Sequence, residues 1–596
     1  MRLSFLLITV ATLGQAASFQ ADTAIVKRHE GHEESHDSHS SMEMDMNMTM
    51  SPSPASMGHH HGRNILDDPT LEPQQRRYWE QYSTLTFFNS EEGSKFLLWS
   101  HAILALVAYG LMAPISFFTS GDRRTQWFYI PFQTVQTGLA LLSLVCLGLY
   151  STSAPKLYPG NSYSGFSIAM LILEVARWLA VVLRAISNYL SLSSYTQAPD
   201  TESYYQMRDL PPRHMASVSS GEDGSSSETE LSSFDIERGD SQKPDLADEV
   251  TGPQPSELVR KLAESRIFTK LNSALGGFAS FFYTLLNYPM FLVGYAYLLT
   301  GLATAFLMGK GHNIFALAAH FIKGFVFYAL GFVELARFLG AGASRGWGWN
   351  EVYVPQESQS RLYILQYIWP TFPTVEWIQS FLIFFYGATN VFLEHLGNND
   401  GGKWSHKDLQ HVSIAFMFFG GGLCGLVLES NKIKSLVEAS FHLKHEEPAQ
   451  GNLVRRSWSR NPMPAIIIFW TGALMSHHQQ ETPLSTAIHI QWGTMFSLAA
   501  VFRMVTLLLM LAKPRPDSAA EAERPQRPFS EVVVCFLLVC GGMIFMASNR
   551  ETVEGMIYRG LDQMFTLNVS VGITVIMMAY FVACLAVKGW ASTRYL

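Results

Sequence analysis

The chain alternates between long apolar runs and polar connections. Apolar stretches fall at roughly 94–119, 127–150, 164–190, 281–308, 312–337, 371–395, 411–429, 462–476, 485–511, 529–548 and 567–587. Most are about 20 residues or longer, enough for a helix to cross roughly 30 Å of hydrocarbon. The pattern predicts an all-α polytopic membrane protein of about eleven transmembrane helices. The weakest is 462–476, which is short and begins at Pro462 and Pro464.

Polar segments divide the chain. Residues 1–18 carry one arginine, a short apolar run and then small residues, the pattern of a signal peptide with cleavage near Ala16 or Ser18. Residues 19–90 read as a disordered luminal tail, 91–190 as a three-helix membrane region, and 271–596 as a second membrane bundle. Between the bundles, residues 191–270 form a linker whose acidic, Ser-rich part, from Ser191 to Pro255, is expected to be disordered and cytoplasmic. With the N-terminus outside, the inside loops collect Arg123 and Arg124, Arg337 and Arg345, the basic set from Lys432 to Arg460, and that from Lys513 to Arg527. This positive-inside bias predicts a cytoplasmic C-terminus.

Composition agrees, with 48% hydrophobic and 15% charged residues among 596. The net charge of −7 is partitioned between loops and says little about partners. No basic domain points to nucleic acid, so the expected partner is the lipid bilayer, in a secretory-pathway membrane: endoplasmic reticulum, vacuolar or plasma membrane. Cys146, Cys424, Cys535, Cys540 and Cys584 all lie inside apolar runs, which argues for thiols packed as small hydrophobes rather than a disulfide framework. The chain lacks a Walker A motif, a dinucleotide fingerprint and G-x-S-x-G, which weakens kinase, ATPase, nicotinamide oxidoreductase and serine hydrolase readings.

Candidate chemistry centres on histidine. In the tail, seven histidines, His59, His60 and His61 among them, accompany Met42, Met44, Met46, Met48 and Met50. Thioether and imidazole suit copper, and imidazole suits zinc; the segment resembles the methionine-motif ectodomains of copper transporters, and a solvated biased tail is the plainer reading. Asn47-Met48-Thr49 is a glycosylation acceptor sequence. In the spans, His101, His320, His395, His411, His477, His478 and His489 all fall on the expected luminal side. A neutral-imidazole metal site built from His411, His477 and His489, with His320 or His395 as further ligands, is one expectation. Packing or interfacial histidines are the other.

Glu174 with Arg177 and Glu334 with Arg337 are each three residues apart on one helix face and read as structural ion pairs. The echo between them, and between His101/Tyr109 and His320/Tyr328, reads as duplication or as chance among apolar sequences.

The segments ARFLGAGASRGWGWNE, DLQHVSIAFMFFGG and GALMSHHQQETPLSTAIHIQWG, with the order of signal peptide, three spans and acidic linker, resemble the fungal YTP-type integral membrane proteins from about Phe96 onward. WSHAILALVAYGLMAPISFF and the next two helices resemble cytochrome b561, which implies haem b held between histidine pairs. Pro131 and Tyr163 stand where the partner histidines are expected, leaving His101 as the one haem-ligand candidate. Three function classes follow: a redox or metal-handling protein binding haem b, copper or zinc at its luminal face; a zinc-dependent membrane hydrolase with Glu394 or Glu481 as carboxylate; and a transporter or structural protein without a cofactor.

Overall fold

A computed structural model describes residues 64–120, 125–195, 266–311, 313–355, 373–396, 406–441, 453–514, 518–522 and 524–594. The signal peptide, the His/Met tail to His61 with Asn47, and the acidic linker lie outside these residues.

The helices, numbered here in chain order, are α1 (Pro73–Gln81), α2 (Lys95–Thr119), α3 (Gln126–Ser151), α4 (Tyr163–Tyr195), α5 (Arg266–Ala305), α6 (Asn313–Phe338), α7 (Val375–Leu396), α8 (His406–Glu429), α9 (Asn431–Ser440), α10 (Met463–Ser476), α11 (Pro483–Ala512), α12 (Phe529–Ala547), α13 (Arg550–Tyr558) and α14 (Gln563–Thr593). Among the described residues nine are long and apolar enough to cross a bilayer, and α7 and α10 occupy the two other stretches read from the sequence. Apart from one ribbon, the described residues are all-α.

Helix ends are set by local chemistry. Ser94, Thr482 and Asp562 each cap a long helix by accepting a hydrogen bond from a first-turn backbone N–H. Such caps satisfy donors that hydrocarbon cannot. In α2, residues Leu106–Met112 widen to a π-helix just ahead of Pro114, whose ring removes a donor and crowds the preceding turn.

Helix α5 packs along α4, and buried Ala105, Tyr109, Ala140, Met170, Met290 and Tyr297 join α2, α3, α4 and α5 around one core. The first group thus has four helices, the fourth coming from beyond the linker. In the second group α12 is central, lying against α6, α11 and α14, while α7 and α8 form a hairpin beside α10.

Two features depart from the sequence reading. Residues 64–90, assigned to a disordered tail, fold onto the membrane core: Ile65 and Trp79 are buried with Leu484, Ile488, Val553 and Ile557. Their apolar side chains, absent from the polar run upstream, supply the burial that ordering requires. Val352–Pro355 (β1) and Leu453–Arg456 (β2) pair antiparallel, Val352 opposite Arg456, and tie the loop after α6 to the loop before α10.

The α6–α12 crossing depends on glycine. A Cβ added at Gly542 would lie 2.6 Å from the Tyr328 backbone nitrogen, and one at Gly331 would lie 2.9 Å from the Val539 nitrogen. These backbones approach closely because neither glycine carries a side chain. Gly542→Val is expected to destabilise the protein by about 1–3 kcal/mol or more, read as a lowered thermal midpoint in detergent, whereas Gly572→Val, with open space at its Cβ, should change little.

Candidate functional site

Helices α6, α11 and α12 meet along a seam with a seven-residue repeat. On α6 the positions are His320, Phe327 and Glu334; on α11 they are His489, Phe496 and Arg503. The imidazole rings of His320 and His489 lie 6.2 Å apart, Phe327 stacks on Phe496 at 4.0 Å, and Arg503 Nη2 is 2.7 Å from Glu334 Oε2. All three contacts advance together, so α6 and α11 run parallel in heptad register. Helix α12 runs the other way and contributes Phe545 beside His320, Leu538 to the middle layer, and Glu531 3.0 Å from Arg503. Fourteen residues separate the histidine layer from the charged layer, about 21 Å along a helix. Phe327, Phe496 and Leu538 form the dry layer between them.

The charged layer is a five-member cluster. Arg337 Nη1 donates to Glu334 Oε2 at 2.9 Å and Nη2 to Glu376 Oε1 at 2.8 Å, and its Nε donates to the Trp347 carbonyl at 2.6 Å. Gln379 donates to Glu334 Oε1 at 2.7 Å. Arg337 and Arg503 both lie over the Trp349 ring, at 4.4 and 4.9 Å. Glu334 and Glu531 are fully buried, and the Arg503 side chain is 11% exposed. Glu334, Glu376 and Glu531 face two guanidiniums, so one carboxylate charge is in excess.

The shortfall has a location. Glu376 Oε2 and both Glu531 oxygens have no hydrogen-bond partner, the Arg503–Glu531 pair being close but poorly aligned. A cavity of about 30 Å³ opens beside Glu334, Glu376, Gln379, Asn461 and Arg503. That is room for a water, which needs roughly 10–15 Å³ and polar partners. The arrangement can hold a proton on a carboxylate and pass it to water.

In the histidine layer, His489 is buried and His320 is half-buried. Nδ1 of His489 meets the Ser485 carbonyl at 2.7 Å, and Nδ1 of His320 meets that of Ala316 at 2.8 Å. A carbonyl only accepts, so both Nδ1 atoms carry the proton and both Nε2 atoms are the acceptor nitrogens. His477 is exposed, with Nδ1 against the Ala473 carbonyl at 2.8 Å, and His478 lies within electrostatic reach of His489. The side chains of His395, His411 and Glu394 lie outside the described residues, and Glu481 is exposed. Of the five proposed metal ligands, the structure therefore brings His320 and His489 together. Among the described residues no group of three or more His, Cys, Asp or Glu gathers around one point.

His101 has another role. Its Nε2 is 2.7 Å from the Tyr163 hydroxyl and its Nδ1 is 2.9 Å from the Ser143 carbonyl and hydroxyl. Tyr163, which occupies the place of an expected partner histidine, is thus the direct partner of His101. In the same four-helix group, Glu174 and Arg177 close on each other at 2.6 Å as a two-member pair.

Sequence reading missed Glu376, Gln379, Arg503 and Glu531 as members of the cluster. The available signal was the repeat of seven from His489 to Arg503, together with two charged residues set into apolar runs.

Comparison with known proteins gives the lineage. Residues 293–589 match a family model described as "Protein YTP1-like, C-terminal", and residues 81–187 match one described as a domain of unknown function, DUF2427. The membrane protein YCR061W of Saccharomyces cerevisiae is 35% identical over 89% of both chains. The membrane protein C3B8.06 of Schizosaccharomyces pombe is 37% identical over 53% of this chain and 60% of its own. Protein YTP1 of S. cerevisiae is 24% identical over 35% and 38%. No solved structure matches. The chain belongs to the YTP1-like family of fungal multi-pass membrane proteins.

Arg503 links two buried carboxylates, so Arg503→Leu is expected to cost about 3–5 kcal/mol, because it strands charge without a partner. Adding Glu531→Gln to that variant should restore part of the loss. A double-mutant cycle on thermal unfolding checks both.

Proposed function

We propose that the protein is a proton-coupled membrane transporter whose proton-handling element is the α6–α11–α12 seam. The observation that carries the reading is the buried cluster of three carboxylates against two guanidiniums, in which Glu376, with one oxygen lacking a hydrogen-bond partner, lines a water-sized cavity together with Arg503, the ion-pair partner of Glu531. Charge in a membrane interior is costly and is retained where it is used. A self-neutralising pair such as Glu174–Arg177 meets a structural need alone; the excess carboxylate of the second cluster does not. The signal peptide and basic loops support an orientation with the histidine layer luminal and the charged layer towards the cytoplasm. Protons then have titratable groups at both ends of the seam, and the Phe327–Phe496 layer separates them.

The experiment is proton flux into liposomes holding the purified full-length protein, under an imposed pH gradient. Wild type should dissipate the gradient faster than empty vesicles. Glu531→Gln and Glu376→Gln should each lower the protein-dependent rate by on the order of tenfold, the effect of about 1.4 kcal/mol on a barrier. Equal rates for wild type and both variants, with folding intact, would refute the reading.

A second reading, metal binding at the luminal face, is favoured by the histidine layer. In His320 and His489 the Nδ1–H is anchored on a backbone carbonyl and Nε2 is the acceptor nitrogen, the arrangement metal-ligating histidines commonly show. His411 and His395, as proposed further ligands, would complete a zinc or copper set with His320 and His489, and the tail from Met42 to His61 would capture the ion. Haem b at His101 is disfavoured, because both its ring nitrogens are engaged. The hydrolase alternative needs a third ligand and a carboxylate at one point.

The metal reading gives a signed pH dependence. Neutral imidazole binds metal and imidazolium does not, so bound zinc or copper should be retained while the rings are neutral and released on acidification as they protonate. An impermeant chelator added from the luminal side of sealed vesicles should strip the ion, and one added from the cytoplasmic side should not. Metal content unchanged in a His320→Ala/His489→Ala double variant would sink it.

A further inference from the structure

A cavity of about 730 Å³ lies away from the seam, between the first helix group and α6, α12 and α14. Its volume falls in the range of roughly 300–1,000 Å³ typical of sites that enclose one small molecule. Its walls are apolar along most of their depth. The lining runs from Phe306, the residue just past the end of α5, back along α5 to Tyr295, eleven residues earlier or about 16 Å. That is about one leaflet of a bilayer whose core is roughly 30 Å thick. Met543, Met546 and Met577 supply flexible, polarisable wall on the facing side.

Charged groups gather at one end, while Tyr295 and Tyr328 line the deeper part. Lys310 and Arg559 line the mouth there with Glu551 and Glu554, the latter ion-paired to Arg550, so the charged side chains largely offset one another. These carboxylates are already engaged, Glu551 with the Gly309 backbone N–H at 3.1 Å and Glu554 with Arg550 at 2.7 Å. Tyr82 also lines this end, and burial pushes its phenol up to about 12, so it is a neutral hydrogen-bonding group at any ordinary pH.

The cavity also reaches the side of the bundle. Leu302 on α5, Phe306 just past its end and Ile573 on α14 line it and yet are 48%, 47% and 41% exposed, which leaves an apolar way in from the acyl region. An occupant arriving by that route comes from the bilayer.

We propose that this cavity binds a single sterol-class lipid, its rigid apolar body lying along α5 and its one hydroxyl at the mouth formed by Tyr82 and α13. The depth of about one leaflet, the carboxylates already engaged within the protein, the neutral Tyr82 phenol at the mouth and the volume of one compact molecule together favour a sterol over a two-chain phospholipid. The inference stands independently of proton or metal handling.

The test uses the full-length protein in lipid nanodiscs with a photoactivatable sterol carrying a diazirine and an alkyne. Cross-links are expected on peptides containing residues 295–306 or 573–577, with unlabelled sterol competing and added diacyl phospholipid not. Leu299→Trp and Met577→Trp, which fill the cavity, should each lower labelling by on the order of tenfold, equivalent to about 1.4 kcal/mol of binding. Should either variant fail to fold, the competition on wild type decides alone. Phospholipid competing as well as sterol, cross-links confined to other helices, or undiminished labelling in both folded variants would each overturn the proposal.

Discussion

Glu334 is the residue on which the C-terminal bundle turns. A fully buried carboxylate in hydrocarbon carries a desolvation cost that only close, well-aligned partners offset. Glu334 meets that demand with Arg337 from its own helix, Arg503 from α11 and Gln379 from α7. Each partner brings an obligation of its own. Arg337 recruits Glu376 and the Trp347 carbonyl, Arg503 recruits Glu531, and both guanidiniums lie over Trp349. Four helices and the loop after α6 are thereby held at one end of the bundle by electrostatics that water does not screen.

Apolar packing takes over from there. The seven-residue repeat that aligns Glu334 with Arg503 also aligns Phe327 with Phe496 and His320 with His489. One register therefore fixes three layers, and a slip of α6 past α11 would bury unpaired charge. Lipid tails are as apolar as the side chains, so solvent exclusion does little to hold such helices together. Close approach at Gly324, Gly331 and Gly542 supplies dispersion, and the ionic layer supplies specificity. Trp79 and Ile65 close the opposite end, where the bundle meets water and burial again stabilises.

Sequence made the helices legible because span length and apolarity are local properties. It made Glu174–Arg177 and Glu334–Arg337 legible because an i, i+3 spacing implies a shared face. It concealed the enlarged cluster because Glu376 and Glu531 each sit at a helix start, where a single acidic residue reads as an ordinary favourable neighbour of the N-terminal dipole. Arg503 was visible in the text of the chain, but its depth and partners depend on tertiary register. Likewise the pairing of His320 with His489 was within the expected ligand set, yet that these two meet, and exposed His477 does not join them, depends on which helices are neighbours. The folding of residues 64–90 was hidden by the biased composition upstream, which drew the boundary of the tail past Ile65 and Trp79.

The two Glu-Arg repeats show how one local device acquires different roles. In α4 the pair is closed: Arg177 has both Glu174 oxygens within 2.8 Å, and the net charge is zero. In α6 the same spacing is an open end, because α11, α7 and α12 add one cation and two carboxylates to it. A closed pair has two states separated by the large cost of stripping a proton or adding one to a satisfied carboxylate. In the open cluster one carboxylate is in excess, Glu376 keeps an oxygen without a hydrogen-bond partner at the edge of the adjoining cavity, and Glu531 is joined to that cavity through Arg503. Packing neighbours, rather than the motif itself, thus convert a neutralising pair into a cluster with one carboxylate in excess, and that conversion is what distinguishes the C-terminal bundle from the four-helix group before it.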